Sequence, residues 1–164
     1  MSSAINTLPS DVCKEIDRCI AKFPADQKQS AVIGALTAVQ HHNKGYLTTE
    51  LMDAVADYLA MPKIAVYEVA SFYSMLETKQ VGRNSISVCT NISCMLRGGE
   101  EIVAHIEQRL GVKLGESTPD GKFFLKREEE CLAGCCGAPM MQVNHKYYED
   151  LTPEKVDSIL DSIE

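Results

Sequence analysis

The chain has no tryptophan, and aromatic residues make up only 6% of its 164 positions. Basic residues are also in the minority. Sixteen Lys and Arg stand against 23 Asp and Glu, a formal net charge of −7. That balance provides no basic surface to neutralise phosphates, so a nucleic-acid partner is not expected. No apolar run approaches the eighteen or so residues a membrane-spanning helix needs, so direct membrane insertion is not expected and any membrane link would run through other subunits. The first residues, Met1 to Pro9, lack both the basic-then-apolar order of a secretory signal and the Arg-rich pattern of a presequence. The chain therefore reads as cytoplasmic and unprocessed. There is no Cys-x-x-Cys, which speaks against a thioredoxin-type disulfide reductase. Nor is there a Gly-rich dinucleotide fingerprint after a strand, and Gly98-Gly99 alone does not make an NAD site.

What is present is a globular composition, 45% hydrophobic and 24% charged, enough for one domain or two small ones. Seven cysteines are many for this length. Their number is odd and no secretion signal accompanies them, so metal or redox chemistry is a better reading than a disulfide framework.

Hydrophobic periodicity divides the chain near Gln80-Val81-Gly82, giving expected domains at 1–80 and 81–164. The first half reads as helices. Ser10 stands where an N-cap is wanted, and Val12, Ile16, Cys19, Ile20 and Phe23 then recur at helical spacing until Pro24. Further helices are predicted from about Gln29 to His42, from Thr48 or Thr49 to just before Pro62, and from about Lys63 to Glu77. Phe72 and Tyr73 are expected in the bundle core or at its junction with the second domain. After Ser85 the pattern changes. Ser85–Thr90 alternates and is rich in β-branched residues, Lys122–Arg127 and Met140–Asn144 resemble further strands, and helices are expected from Gly98-Gly99 to Leu110 and from Thr152 or Pro153 onward. The β-α-β-β-α order is compatible with a compact thioredoxin-like α/β unit, making the whole chain α+β.

The chemistry is concentrated in Cys89-Thr90-Asn91-Ile92-Ser93-Cys94 and, after a gap of 36 residues, Cys131-Leu132-Ala133-Gly134-Cys135. A [2Fe–2S] centre takes two thiolates per iron, so two separated cysteine pairs on converging loops suit it. Four thiolates would also satisfy structural zinc, but zinc knuckles usually begin with two-residue separations, and here the separations are four and three. Cys136 could replace its neighbour Cys135 as a ligand by spacing alone. Cys13 and Cys19 read as small buried hydrophobes of the first helix. His41, His42, His105 and His145 fit no ligand spacing with the cysteines. The run Glu128-Glu129-Glu130 reads as a solvated face that would lower a cluster's potential if it lay close.

Cys89 to Gly98, Thr118-Pro119-Asp120-Gly121-Lys122-Phe123 and Cys131 to Pro139, together with Val69 to Met75, resemble the small iron–sulfur subunits, the E subunits, of bacterial NADH:quinone oxidoreductases. These belong to the thioredoxin-like [2Fe–2S] ferredoxins. The resemblance covers nearly the whole chain. It implies an N-terminal helical bundle, a C-terminal thioredoxin-like domain, and one [2Fe–2S] cluster on Cys89, Cys94, Cys131 and Cys135, with Cys136 a bystander. It also implies a partner flavoprotein subunit that binds NADH and FMN, and a position peripheral to the cytoplasmic face of the inner membrane through the complex. No catalytic residue is implied on this chain. A diaphorase subunit of a hydrogenase or formate dehydrogenase would carry the same cluster, and a structural zinc module is the reading without redox chemistry.

Overall fold

The computed structural model describes residues 8–127 and 131–163, and the chain divides into two compact units, Met1–Gln80 and Val81–Glu164. The first is all helical: α1 (Ser10–Ile20), a 3-10 segment (Ala25–Ala31), α2 (Val32–His42), α3 (Thr49–Leu59) and α4 (Lys63–Phe72). Each helix gives one stripe to a common core in which Ile16, Ala35, Leu36, Val55 and Val66 have no exposed surface. Burying the Ile, Leu and Val side chains contributes about 1.5–3 kcal/mol each, which is what holds short helices together when their own propensity is marginal. Cys13 and Cys19 pack against this core, and the Cys19 thiol lies where a Cβ on Gly34 would stand, 2.7 Å away.

Helix ends depart from expectation in instructive ways. Pro9, not Ser10, is the N-cap of α1, and no side-chain cap bond forms there. Thr48 does cap α3, its hydroxyl accepting from the Leu51 N–H at 3.3 Å. Phe23 lies beyond the end of α1 and is 39% exposed. Helix α4 stops at Phe72 instead of reaching Glu77. The cause is Gln40, a buried side chain of α2. Its Nε2 donates to the Met75 carbonyl at 3.0 Å and its Oε1 accepts the Glu77 N–H at 2.7 Å, so the chain after Tyr73 is drawn away from the helix axis. Phe72, the last residue of α4, is 80% exposed and takes no part in the bundle core, whereas Tyr73 packs against that core.

The second unit is a five-stranded mixed sheet in the order β2-β3-β1-β4-β5, made of β1 (Asn84–Val88), β2 (Glu116–Ser117), β3 (Phe123–Leu125), β4 (Met141–Val143) and β5 (Lys146–Tyr148). Strands β1 and β3 are parallel and joined through helix α6 (Gly99–Leu110), while the other three pairings are antiparallel. The sequence pattern predicts three strands. The two extra ones, β2 and β5, are edge strands too short and too polar to show periodicity. Pairing creates them: β5 follows β4 through the two residues Asn144 and His145, with Asn144 in the left-handed region (φ 55°) that such tight connections favour. Asn144 is also held from its side chain, Oδ1 accepting from Ser85 N–H at 3.0 Å and Nδ2 donating to Asn84 Oδ1 at 3.0 Å.

Helices α6 and α7 (Pro153–Ser162) cover the same sheet core, with Ile102 and Ile106 from one and Val156, Ile159 and Leu160 from the other meeting Ile86, Val88, Leu125 and Met141. Their outer edges are joined by Arg109 to Asp161 (2.8 Å) and by His105 to Asp157 (2.9 Å). Thr152 caps α7 with Pro153 in its first turn. Among the described residues no helix is long and apolar enough to cross a membrane.

Candidate metal centre

Cys89 immediately follows β1, and its backbone N–H bonds the Met140 carbonyl at 3.1 Å, which ties the end of β1 to the chain entering β4. Past Cys89 the chain turns into a single helical turn, α5 (Ile92–Met95), which carries Cys94 and is started by Asn91, whose Oδ1 accepts the Ile92 N–H at 2.8 Å. This short helix is absent from the sequence expectations, because four residues cannot display a period. Cys131 and Cys135 come from the connection between β3 and β4, Cys135 opening a 3-10 turn (Cys135–Gly137). Two loops far apart in sequence thus meet above one end of the sheet.

They meet at sulfur. The Cys89 thiol shares hydrogen bonds with the thiols of Cys94 and Cys131 and accepts the backbone N–H groups of Leu132 and Asn91. Burial pushes its pKa up, but those amides and thiols together outweigh burial and leave Cys89 below the ordinary thiol value. Cys94 goes the other way. Burial and the neighbouring Cys89 sulfur hold it above the ordinary value, with Cys135 close enough to add repulsion and the Met140 N–H acting in the opposite sense. Hydrogen bonds therefore link three of the four expected positions, 89 to 94 and 89 to 131, while Cys135 acts on Cys94 only through charge. Cys89 and Cys94 are buried with Leu132, Ala138 and Met140, while Cys131, Cys135 and Cys136 are exposed. Among the described residues no group of three or more His, Cys, Asp or Glu is arranged to hold a metal ion as the side chains stand.

The backbone around the thiols is shaped to them. Ala133 adopts a left-handed conformation (φ 58°), and its N–H bonds the Cys131 sulfur at 3.3 Å. Gly99, the first residue of α6, leaves no room for a Cβ, which would stand 2.9 Å from the carbonyl oxygens of both Cys89 and Cys94. The start of α6 therefore lies close against the two ligand-loop carbonyls. Gly134 is equally confined, since a Cβ there would overlap the Met140 sulfur, which is fully buried. Leu132, Ala133 and Met140, whose amides face sulfur, are site residues that composition could not single out. His42 and His105 face Asp11 and Asp157 respectively. The acidic run Glu128-Glu129-Glu130 falls outside the described residues.

The sequence profile of thioredoxin-like [2Fe-2S] ferredoxins matches residues 16–164. The chain belongs to that family. An iron–sulfur cluster is its defining cofactor, and the donor set fits one. Thiols from two loops are in mutual contact, and backbone N–H groups already point at three of them, as thiolates bound to iron require. Among its relatives, the E subunit of the NADH-quinone oxidoreductase of Rickettsia conorii is 45% identical over 148 residues, 90% of this chain and 88% of that protein. The mitochondrial NADH dehydrogenase [ubiquinone] flavoprotein 2 of Dictyostelium discoideum is 42% identical over 149 residues, 91% of this chain and 60% of that one. Among solved structures, an NAD+-reducing [NiFe]-hydrogenase superimposes with a TM-score of 0.66 at 19% identity. That alignment covers 78% of this ferredoxin-family chain and 22% of the hydrogenase chain, and it establishes shared fold alone.

Proposed function

We propose that this chain is the electron-relay subunit of an NADH:quinone oxidoreductase, holding one [2Fe–2S] cluster on Cys89, Cys94, Cys131 and Cys135. The observation that carries the reading is the meeting of the two cysteine loops at sulfur, with amides of Leu132, Asn91, Ala133 and Met140 aimed at the thiols. When bound, the cluster supplies one-electron transfer at a stable site. The protein residues do the rest. The loop amides stabilise thiolate charge, burial of Cys89 and Cys94 keeps water from one side, and exposure of Cys131 and Cys135 leaves the other side open to a redox partner.

The partner is a flavoprotein subunit carrying FMN and binding NADH, the two forming a heterodimer within a larger complex. A two-electron donor feeding one-electron carriers needs such a division of labour. This chain takes part in NADH dehydrogenation as a subunit, with no catalytic residue of its own, and reaches the cytoplasmic face of the inner membrane through the complex. The Rickettsia and Dictyostelium relatives, at 45% and 42% identity over nine-tenths of the chain, support this parent complex over a hydrogenase or formate dehydrogenase.

The test is the visible and low-temperature EPR spectrum of the purified chain, kept anaerobic, before and after dithionite. Bands that bleach, with a reduced spin-half signal lost in Cys89→Ser and Cys135→Ser but kept in Cys136→Ser, are expected. A colourless protein that binds one zinc refutes the electron-transfer reading. Loss in Cys136→Ser with retention in Cys135→Ser refutes the ligand assignment.

A further inference from the structure

One side chain lies along the loop that carries Cys135. A Cβ on Gly137 would stand 2.5 Å from Cβ of Glu149 and 2.6 Å from its Cγ and Cδ, and a Cβ on Gly134 would stand 3.6 Å from its Oε1. The Glu149 methylenes therefore cover Gly137, and its carboxylate reaches toward Gly134, next to Cys135. Glycine at both positions leaves the space it occupies. The backbone beneath is fixed independently: Asp150 N–H bonds the Gly137 carbonyl at 2.7 Å and Leu151 N–H the Pro139 carbonyl at 3.0 Å. The Lys155 Nζ bonds the backbone carbonyl of Glu149 at 2.5 Å, not the carboxylate. Among the described residues no ion pair involves that carboxylate.

We propose that the Glu149 carboxylate is a positioning charge that lowers the reduction potential of the cluster, acting across the Gly134–Gly137 loop. The inference rests on the ligand reading above, since it needs iron at Cys135. Reduction adds one electron to the cluster, breaks no bond and leaves one more negative charge there. A fixed negative charge nearby makes that addition less favourable, and net charge around the sulfurs is one of the main determinants of cluster potential. Because Glu149 is exposed, water screens part of the effect. The oxidised-to-reduced ratio at a set ambient potential should then change by roughly threefold to tenfold, a tenfold change being about 59 mV for one electron.

The experiment is an EPR-monitored redox titration of the full chain with its cluster, comparing wild type, Glu149→Gln, Glu149→Ala and Glu149→Asp at low and high salt. The Gln and Ala variants should both titrate at higher potential with an unchanged spectrum, Asp should stay near wild type, and the difference should shrink as salt rises. An unshifted midpoint in Glu149→Gln overturns the proposal. So does a rise in Glu149→Ala alone, which would report lost packing instead of lost charge. If no form shows a [2Fe–2S] spectrum, it is the ligand assignment that has failed.

Discussion

Replacing Gly99 by Ala opposes two effects of known size. Alanine favours a helix over glycine by up to about 1 kcal/mol, and Gly99 is a helical residue of α6. Against that, the added Cβ would stand 2.9 Å from the carbonyl oxygens of Cys89 and Cys94 and 3.0 Å from the Cys94 carbonyl carbon. These are backbone atoms that cannot rotate aside. Overpacking of this kind costs about 1–3 kcal/mol, so the net loss should be about 1–2 kcal/mol, seen as a fall of roughly 5–15 °C in melting temperature. Relief can come only by moving the start of α6 or the Cys89–Cys94 loop, so iron and sulfide bound per chain should fall as well. Gly98→Ala is the control. It forces alanine into a left-handed backbone (φ 89°), costing about 1–2 kcal/mol, yet its Cβ meets only the mobile Glu101 carboxylate, 3.4 Å away. Thermal melts and iron assays on both variants separate the cases: Gly98→Ala loses stability and loads normally, and Gly99→Ala loses both. A Gly99→Ala protein as stable and as fully loaded as wild type would show that α6 does not brace the ligand loop.

Phe72→Ala should change stability by less than about 0.5 kcal/mol in urea melts, because the ring is 80% exposed, whereas Leu36→Ala, at a fully buried position, should cost about 2–5 kcal/mol. Gln40→Ala leaves the Met75 carbonyl and the Glu77 N–H without their partner, and the expected loss is about 1–3 kcal/mol with faster hydrogen exchange at Glu77; unchanged exchange there would mean that Gln40 does not hold the end of α4. The Asp53 carboxyl is held below the usual range first by the Lys63 ammonium (2.6 Å) and then by the Tyr67 hydroxyl. A lowered folded-state pKa means that its contribution is present above the unfolded carboxylate value and is lost as pH falls through the folded one. Wild type should therefore be more stable than Asp53→Asn at neutral pH, and the gap should close in acid; a gap independent of pH would refute the charge argument.

Much of the architecture was readable because burial imposes a period. Val12 and Ile16, Leu36 and Val39, and Val156 and Leu160 recur as helix stripes, and all are buried. The starts of two further helices were legible to within a residue, at Thr48 or Thr49 and at Thr152 or Pro153, and the structure makes Thr48 and Thr152 the caps. The same logic failed where one distant side chain outweighed local preference. Nothing near Phe72 marks the end of α4, since Gln40, which holds the chain beyond it, lies more than thirty residues earlier. Strands β2 and β5 were missed because they are short, exposed edge strands with no buried face to pattern, and α5 because four residues are little more than one helical turn.

The cysteines divide along the same line. Their number, the absence of Cys-x-x-Cys and the spacings of four and three residues were enough to point to a two-loop thiolate site, because ligand chemistry restricts which residues can serve and how far apart they can be. What one dimension cannot express is direction. That Leu132, Ala133 and Met140 turn their amides toward sulfur, that Gly99 presses against two carbonyls and that Glu149 lies over the loop of Cys135 all depend on backbone groups every residue possesses. Tertiary structure alone decided where those groups point, because a backbone N–H acquires its meaning from what the fold places in front of it.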